Sequence, residues 1–205
     1  MIAIIDYGAG NLQSVEKALA HIGCACQVVD SPTGLSGAQA AVLPGVGAFG
    51  EAMASLRARG LEPAIRDFIA GGRPFLGVCL GLQVLFDSSE ESPGSAGLGI
   101  LPGKVLRLPG DRGLKIPHMG WNSLEVKRPG WLLRGLEPEP YLYFVHSYYL
   151  QAQDDVVTAT AEYGTSIHAA VERDNLAACQ FHPEKSGETG LKILRNFAAK
   201  VRESV

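Results

Sequence analysis

The chain has 205 residues, of which 46% are hydrophobic and 19% are charged, a balance that excludes intrinsic disorder as a description of the whole chain. Its net charge of −3 comes without any run of Lys and Arg long enough to follow a phosphate backbone, so we expect no nucleic-acid partner. The 25 Gly and 12 Pro residues predict many tight turns.

The N-terminal residues and the cysteines indicate the cellular compartment of the protein. The apolar run from Met1 reaches a charge at Asp6, too early for a signal peptide, and no stretch approaches the roughly 18 apolar residues of a membrane span. Four cysteines, including Cys24 and Cys26 only one residue apart, do not make a disulfide framework. We therefore expect reduced thiols and a cytoplasmic protein.

The N-terminal half alternates apolar runs rich in β-branched residues with segments of helical period. Strands are predicted at 2–6, 24–30, 40–43 and 74–79, with a helix at 11–22 and one or two helices within 48–70. Alternation of this kind is typical of a parallel sheet that is covered by helices on both faces.

The C-terminal half has the pattern of antiparallel β-structure. A surface loop is predicted at 88–99, and short strands are predicted at 105–108, 141–150, 156–163, 166–172 and 176–181. The end of the chain predicts an amphipathic helix with apolar residues at helical spacing, namely Leu191, Leu194, Phe197, Ala198 and Val201. Without an internal repeat or a visible boundary, residues 1–205 are expected to form a single domain.

A glycine-flanked cysteine is the strongest sign of chemistry in the sequence. In Gly77-Val78-Cys79-Leu80-Gly81 the cysteine follows a predicted strand and precedes a short helix, which is the position of a nucleophile elbow. The glycines allow a sharp turn, and a helix N-terminus favours the thiolate over the thiol. A cysteine in a strand is otherwise a small buried hydrophobe, but the two glycines favour a nucleophile at Cys79.

A thiolate nucleophile needs a general base, and the base needs an orienting group. His182 precedes a proline, which favours extended backbone, and in an extended segment Glu184 points to the same side as His182. The pair therefore supplies a base and its carboxylate within three residues. The alternative is a surface turn in which both side chains are incidental.

The segment Pro44-Gly45-Val46-Gly47 follows another predicted strand. Its two glycines let backbone N–H groups come close to a substrate oxygen, as an oxyanion hole requires. A plain tight turn has the same pattern, so this segment by itself favours neither interpretation.

A dinucleotide-binding turn is a competing interpretation of the N-terminus. Gly8 and Gly10 follow a strand and precede a helix, and Asp30 lies about 20 residues further on, as a dinucleotide fold requires. Gln13 stands where the third glycine belongs, so the fingerprint is incomplete.

Two further motifs are also incomplete. His21, Cys24 and Cys26 have no fourth metal ligand close in sequence, so core packing is expected for the two thiols and no metal site is predicted. A phosphate loop near Lys104 fails because Leu98 and Val105 stand where glycine and Ser or Thr belong.

Six segments carry a family resemblance. They are Asp6-Tyr7-Gly8-Ala9-Gly10-Asn11-Leu12, Leu43-Pro44-Gly45-Val46-Gly47-Ala48-Phe49, Gly77-Val78-Cys79-Leu80-Gly81-Leu82-Gln83, Pro117-His118-Met119-Gly120-Trp121-Asn122, Tyr143-Phe144-Val145-His146-Ser147-Tyr148 and Gln180-Phe181-His182-Pro183-Glu184-Lys185-Ser186. The segments resemble the class I glutamine amidotransferases, and among them the glutaminase subunits of imidazole glycerol phosphate synthase in histidine biosynthesis. The resemblance implies a flavodoxin-like α/β fold, with a mostly parallel central sheet flanked by helices and an additional antiparallel region in the C-terminal half.

The resemblance also implies a Cys-His-Glu triad. Cys79 would attack the side-chain amide of glutamine to form a thioester, His182 would protonate the departing ammonia and later activate water, and Glu184 would hold the imidazole. The implied oxyanion hole consists of backbone N–H groups of Gly45, Val46, Gly47 and Leu80. The implied glutamine-holding residues are Gln83, His146, Ser147 and Tyr148.

The ammonia needs an acceptor on a second protein. Free ammonia is mostly protonated at neutral pH, and a glutaminase domain of this length leaves no room for another site. The resemblance implies a (β/α)8-barrel cyclase subunit that uses the ammonia to convert a phosphoribulosyl-formimino-aminoimidazole nucleotide into imidazole glycerol phosphate and aminoimidazole carboxamide ribotide. The residues expected to dock on it are Tyr7, Gly8, Ala9, Gly10, Asn11, Trp121 and Lys185, and no cofactor is implied.

Two other functions stay open at this point. One is a different hydrolase with the same triad, such as a free-standing γ-glutamyl hydrolase or a glutaminase of another pathway. The other is a non-catalytic dinucleotide-binding module.

The loop around Val46 also predicts regulation. Because Val46 lies between two glycines, its peptide groups rotate at little steric cost. A carbonyl turned inward would deprive Cys79 of transition-state stabilisation until an acceptor for ammonia is ready. We therefore expect the isolated chain to be a poor glutaminase.

Overall fold

The computed structural model describes residues 1–110, 113–128, 130–152 and 155–204. The helices are α1 (Leu12–His21), α2 (Pro32–Ser36), α3 (Phe49–Ala58), α4 (Leu61–Ala70), α5 (Leu80–Gln83) and α6 (Gly187–Glu203). Within these ranges, none of the helices has the length and apolar character needed to cross a membrane.

The strands of the described residues form one large sheet and two small ones. They are β1 (Ile2–Ile5), β2 (Cys26–Val29), β3 (Ala40–Leu43), β4 (Phe75–Val78), β5 (Ser88–Ser89), β6 (Gly103–Arg107), β7 (His118–Ser123), β8 (Glu125–Val126), β9 (Tyr141–His146), β10 (Tyr148–Ala152), β11 (Val157–Glu162), β12 (Ser166–Arg173) and β13 (Leu176–Cys179). The large sheet has the order β2-β1-β3-β4-β13-β12-β11-β8, the second has the order β10-β6-β5, and β7 pairs with β9.

The large sheet is parallel from β2 to β13 and antiparallel from β13 to β8. Every residue of β1, β3, β4 and β13 is buried, as expected for strands with both faces covered. One face packs against α1 and α6, and the other packs against α3 and α4. The predicted α/β fold, with a mostly parallel sheet and an additional antiparallel region, is confirmed.

Two predicted segments are divided in the structure. The helical region 48–70 contains α3 and α4, separated at Gly60, whose φ of 67° is a left-handed conformation that favours glycine. The strand predicted at 141–150 is two strands, because the chain changes sheets at Ser147: β9 pairs with β7 and β10 pairs with β6. Apolar periodicity does not report such a change of partner.

Three elements have no counterpart among the predicted ones, namely α2, β7 and β8. The helix α2 has five residues and β8 has two, so neither carries a full apolar period. Only the first residue of β7 is buried, and the strand contains Gly120 with a φ of 136°. The predicted loop 88–99 also begins with the two-residue strand β5.

The segments with chemical signatures lie at the carboxyl ends of neighbouring parallel strands. Loop 44–47 follows β3, Cys79 follows β4, and the segment 180–182 follows β13. Open α/β sheets bind their ligands at this edge. The topology alone therefore brings the predicted nucleophile, the predicted base and the glycine loop together.

The substitution Gly81→Ala is expected to destabilise this edge of the sheet. A Cβ at Gly81 would lie 1.8 Å from the carbonyl oxygen of Leu43, a backbone atom at the end of β3. Overpacking against backbone should lower the free energy of unfolding by about 3 kcal/mol, measured by urea denaturation.

Gly37→Ala is the control, because among the described residues no atom lies within 4 Å of a Cβ at that position. Its free energy of unfolding should change by less than about 0.5 kcal/mol. A small effect at both positions would contradict the close packing of Gly81 on Leu43.

Candidate active site

Cys79 occupies a strained turn between β4 and α5. Its φ is 56° and its ψ is −109°, a conformation that residues with side chains rarely adopt. A Cβ at Gly77 would lie 2.7 Å from the carbonyl oxygen of Gly81, so the turn permits no side chain at that position. The geometry is that of the elbow which the sequence predicts.

Cys79 lines a pocket of about 250 Å³. The predicted site residues around it are Val46, Gly47, Cys79, Leu80, Gln83, His146, Ser147 and Tyr148. Glu91, Pro117 and Val145 complete the lining, and the sequence analysis assigns them no role. The predicted nucleophile, two residues of the glycine loop and the predicted glutamine-holding residues therefore surround one cavity.

His182 and Glu184 form a buried pair. Nδ1 of His182 lies 2.8 Å from Oε1 of Glu184, and both side chains are 3% exposed. The predicted contact is present, but the predicted reason for it is wrong. His182 itself is extended, whereas Pro183–Lys185 is a 3-10 turn, and this turn brings the carboxylate back to the imidazole.

The groups around His182 favour its protonated form. Burial lowers the pKa of the imidazole, but Cys79 and Glu184 outweigh burial and raise the pKa of His182 to about 10. Nε2 of His182 is buried and makes no hydrogen bond within the described residues. Nε2 of His182 is thus not used by another group of the described residues, and Cys79 is close enough to influence the imidazole.

Ser186 fixes the His182 segment against β9. Its Oγ donates a hydrogen bond to the His182 carbonyl over 2.6 Å and accepts one from the Tyr143 N–H over 3.0 Å. The N–H of His182 donates to the Tyr143 carbonyl over 2.9 Å. These bonds hold the backbone that carries the imidazole.

The Leu80 N–H, a predicted oxyanion-hole donor, is occupied. It donates to the carbonyl oxygen of Gly45 over 3.3 Å. The Gly45 carbonyl is therefore turned toward the elbow, which is the arrangement expected of a resting loop. Gly45 is buried, while Val46 is 42% exposed and lines the pocket.

Two buried glutamines connect the pocket wall to the nucleophile. Nε2 of Gln83 donates to the Tyr148 carbonyl and to Oε1 of Gln180, both over 3.0 Å. Nε2 of Gln180 lies 3.6 Å from Sγ of Cys79. Both N–H groups of Gln83 are thus used within the protein, and only its Oε1 is left for a substrate.

Two neighbouring histidines, His146 and His118, have defined protonation states. Nδ1 of His146 lies 2.9 Å from the Tyr148 carbonyl, which only accepts, so Nδ1 carries the proton. Nε2 of His146 then accepts from Nδ1 of His118 over 3.0 Å, and Asn122 lies 3.4 Å from the remaining nitrogen of His118. Burial lowers the pKa of His118 to about 4 and that of His146 to about 3, so both rings are neutral at pH 7.

This network corrects the role expected of His146. The ring lines the pocket, but both of its nitrogens are bonded within the protein, so it offers glutamine no free donor or acceptor. Its effect is to hold the Tyr148 carbonyl in place. His118 and Asn122 lie within a segment that carries the resemblance, yet only their three-dimensional contacts reveal this role.

Glu91 is the one acidic side chain that lines the pocket within the described residues. It lies in the predicted surface loop 88–99, and its Oε2 accepts a hydrogen bond from the Phe49 N–H at the start of α3 over 2.8 Å. No sequence pattern indicates this approach, because residues 42 positions apart make it.

The predicted docking residues differ in exposure. Gly8, Asn11, Trp121 and Lys185 are exposed, and Ala9 and Gly10 are partly exposed. Tyr7 is 0% exposed, so the expectation that it touches a partner is wrong. Its ring packs inside the core on the side of α3 and α4.

The competing patterns of the sequence have other structural roles. A Cβ at Gly10 would lie 3.5 Å from the Cα of Gly45, so the turn before α1 is packed against the glycine loop where a dinucleotide pyrophosphate would lie. Within 1–110, 113–128, 130–152 and 155–204, no group of three His, Cys, Asp or Glu side chains is placed to hold a metal ion.

Comparison with known proteins identifies the family. The family model described as glutamine amidotransferase class-I matches residues 3–201. The imidazole glycerol phosphate synthase subunit HisH of Methanothermobacter thermautotrophicus is 54% identical over 98% of this chain and 100% of its own length. The subunit of the same name from Moorella thermoacetica is 52% identical over 99% of this chain and 96% of its own length.

Solved structures show the same fold. A crystal structure of a glutamine amidotransferase has a TM-score of 0.77 at 21% identity and covers 98% of this chain and 100% of its own. The structure of PurLQS from Thermotoga maritima also has a TM-score of 0.77, at 20% identity over 97% of each chain. The chain is therefore an enzyme of the class I glutamine amidotransferase family and belongs, within that family, to the HisH subunits of imidazole glycerol phosphate synthase.

Proposed function

We propose that the chain hydrolyses L-glutamine through Cys79, His182 and Glu184 and delivers the ammonia to a (β/α)8-barrel cyclase subunit in histidine biosynthesis. The observation that carries this proposal is the elbow at Cys79, which opens into a pocket and lies close enough to the buried His182–Glu184 pair to raise the pKa of His182. We take residues 1–205 as one glutaminase domain that acts in the cytoplasm.

The pocket supports glutamine as the substrate. The side-chain amide of glutamine would lie against Cys79, while its α-ammonium group needs a nearby anion or oxygen acceptor. Glu91 supplies a carboxylate in the pocket lining, and Gln83 supplies its remaining Oε1. Ser147 and Tyr148 also line the pocket, and the histidine network holds the Tyr148 carbonyl.

The first chemical step forms a thioester and releases ammonia. The Cys79 thiolate attacks the carboxamide carbon, and the negative charge moves to the oxygen, where backbone N–H groups must receive it. As the carbon–nitrogen bond breaks, the His182 imidazolium gives its proton to the leaving nitrogen. The raised pKa of His182 supports this role, because the ring holds the required proton at neutral pH.

The second step hydrolyses the thioester. Once Cys79 is acylated, its negative charge no longer stabilises the imidazolium, so the pKa of His182 falls and the neutral ring takes a proton from water. The hydroxide adds to the thioester and expels the Cys79 thiolate, and glutamate leaves. Glu184 orients the ring through Nδ1 in both steps.

The position of the Gly45 carbonyl supports a resting state with low activity. As long as the Leu80 N–H donates to this carbonyl, it cannot donate to the oxyanion. Rotation of the Gly45–Val46 peptide would remove the carbonyl and turn the Val46 N–H toward the pocket. We propose that the cyclase, with its nucleotide bound, drives this rotation by docking on the exposed surface near Gly8, Asn11, Trp121 and Lys185.

Ammonia release from glutamine tests this function. The isolated chain should be slow, and the cyclase with its nucleotide ligand should raise kcat by at least about 10²-fold, the usual value of one oxyanion donor. Cys79→Ala should abolish turnover and still bind the cyclase, whereas Cys24→Ala, which removes a thiol far from the pocket, should behave as the unmodified chain.

Two results would contradict the proposal. Turnover of glutamine by Cys79→Ala would rule out the Cys79 thiolate as the nucleophile. Equal rates for the chain alone, with the cyclase, and with the cyclase and nucleotide would show that the oxyanion hole is always assembled.

The role of Glu184 predicts a shift in pH dependence. Because Glu184 contributes to the raised pKa of His182, kcat/KM should fall as the pH rises through about 10 in the unmodified enzyme. In Glu184→Gln the alkaline limb should move to lower pH, since the neutral amide orients the ring but stabilises imidazolium less. His182→Ala should lose about 10²- to 10⁴-fold, more than Glu184→Gln.

Glu188→Gln is the matched control, because this carboxylate is 81% exposed and pairs with Arg195. Its pH profile, measured by glutamate formation in the presence of the cyclase, should match that of the unmodified enzyme. An alkaline limb that stays in place in Glu184→Gln would refute the assigned role of Glu184.

A further inference from the structure

Tyr7 carries a buried hydroxyl group that has no hydrogen-bond partner among the described residues. The residue is 0% exposed and belongs to a buried apolar cluster that also contains Leu43, Phe49 and Leu80. An unpaired hydroxyl in such a place is unfavourable, so its retention calls for an explanation. The triad chemistry described above does not use it.

The hydroxyl lies directly against the peptide that must rotate. A Cβ built on Gly45 would be 2.0 Å from Oη of Tyr7 and 3.0 Å from Cβ of Leu80. Gly45, Leu80 and Tyr7 therefore meet at one point. A side chain at position 45 would collide with the tyrosine, which explains why glycine stands there.

The loop separates two cavities. Val46 and Gly47 line the catalytic pocket together with Cys79 and Leu80. The same two residues line a second cavity of about 230 Å³ on the side of Tyr7, where Cys79 and Leu80 do not contribute among the described residues. The loop therefore has open space on the Tyr7 side as well as on the Cys79 side.

We propose that Tyr7 is a positioning residue that stabilises the active loop, because its hydroxyl donates to the Gly45 carbonyl after the Gly45–Val46 peptide has rotated. In the resting arrangement the Leu80 N–H is satisfied and the Tyr7 hydroxyl is not. In the active arrangement the Tyr7 hydroxyl is satisfied and the Leu80 N–H is free for the oxyanion. The inference rests on the proposed function. It adds an exchange of hydrogen-bond donors, in which the Gly45 carbonyl leaves the Leu80 N–H and accepts from the Tyr7 hydroxyl.

Two properties of Tyr7 fit this role. Burial, and then the nearby Cys79, raise the pKa of Tyr7, so the hydroxyl keeps its proton and stays a donor. The residue also begins the exposed turn Gly8–Asn11, in which Gly10 packs on Gly45, and its own carbonyl accepts from Oγ of Ser55. Tyr7 and Gly10 both lie against Gly45. A partner that binds this turn would therefore act on the Gly45–Val46 peptide through both residues.

The variant Tyr7→Phe tests the proposal, because it removes the hydroxyl and keeps the ring. In the presence of the cyclase and its nucleotide ligand, kcat should fall about 3- to 10-fold, the usual worth of one hydrogen bond, while KM for glutamine is unchanged. The isolated chain should become more stable to urea, since its unpaired hydroxyl is gone. Tyr141→Phe, at a residue that is 60% exposed, should leave kcat, KM and stability as they were.

The opposite signs of the two effects separate a positioning role from a structural one. Lower stability of Tyr7→Phe together with unchanged stimulation would mean that the hydroxyl serves the resting fold, and the inference would be wrong. Unchanged stability and unchanged kcat would also overturn it. Absence of stimulation in the unmodified chain would instead count against the proposed function itself.

Discussion

In the proposed mechanism the amide hydrogen of Leu80 has two acceptors that exclude one another, the Gly45 carbonyl and the oxyanion, and the activity of the site depends on which of them holds it. In the resting arrangement the acceptor is the Gly45 carbonyl, at 3.3 Å. A backbone hydrogen bond of this length contributes about 0.5–1.5 kcal/mol, whereas a missing oxyanion donor raises the barrier by about 3–4 kcal/mol. This hydrogen bond by itself can therefore hold back turnover by about 10-fold at most, and a stimulation of about 10²-fold needs further interactions that favour the resting arrangement of loop 44–47.

Close packing and hydrogen bonds fix the rest of the site, so the hydrogen bond between the Leu80 N–H and the Gly45 carbonyl is the part that can change. The close packing of Gly81 on Leu43 fixes the elbow relative to β3. Ser186 fixes the His182 segment to β9, and the neutral His118–His146 pair fixes the Tyr148 carbonyl. Because these groups are buried and hydrogen bonded, Cys79, His182 and the pocket wall would keep their places during the proposed change of loop 44–47.

The sequence reveals the parts of this site that are local. The elbow, the His182–Glu184 pair and the glycine loop each lie within a few residues, so their chemistry is visible in the order of the amino acids. Glu91, Gln180 and His118 are brought in by contacts between distant segments, and no periodicity reports them. Tyr7 is the opposite case, in which the sequence suggests a role that the structure does not support. Its place in a glycine-rich turn suggests docking on a partner, but its side chain is buried.

The division of the predicted strand 141–150 at Ser147 has the same origin. Its apolar residues continue through the break, but hydrogen bonding passes from β7 to β6, and this change of sheet turns Ser147 and Tyr148 into a pocket wall. Strand partners are set by the whole topology and not by the segment itself. The fold class follows from the alternation of strands and helices, whereas the wall of the pocket depends on which strands pair with one another.

The most direct test of the account is to measure the hydrogen bond between Leu80 and Gly45 by NMR. In the isolated chain, labelled with nitrogen-15 and carbon-13, a scalar coupling across this bond should connect the Leu80 amide nitrogen to the Gly45 carbonyl carbon. The account predicts that this coupling disappears when the cyclase and its nucleotide ligand are added and glutamine turnover rises. A coupling that persists in the fully active complex would contradict the claim that this bond keeps the resting enzyme inactive.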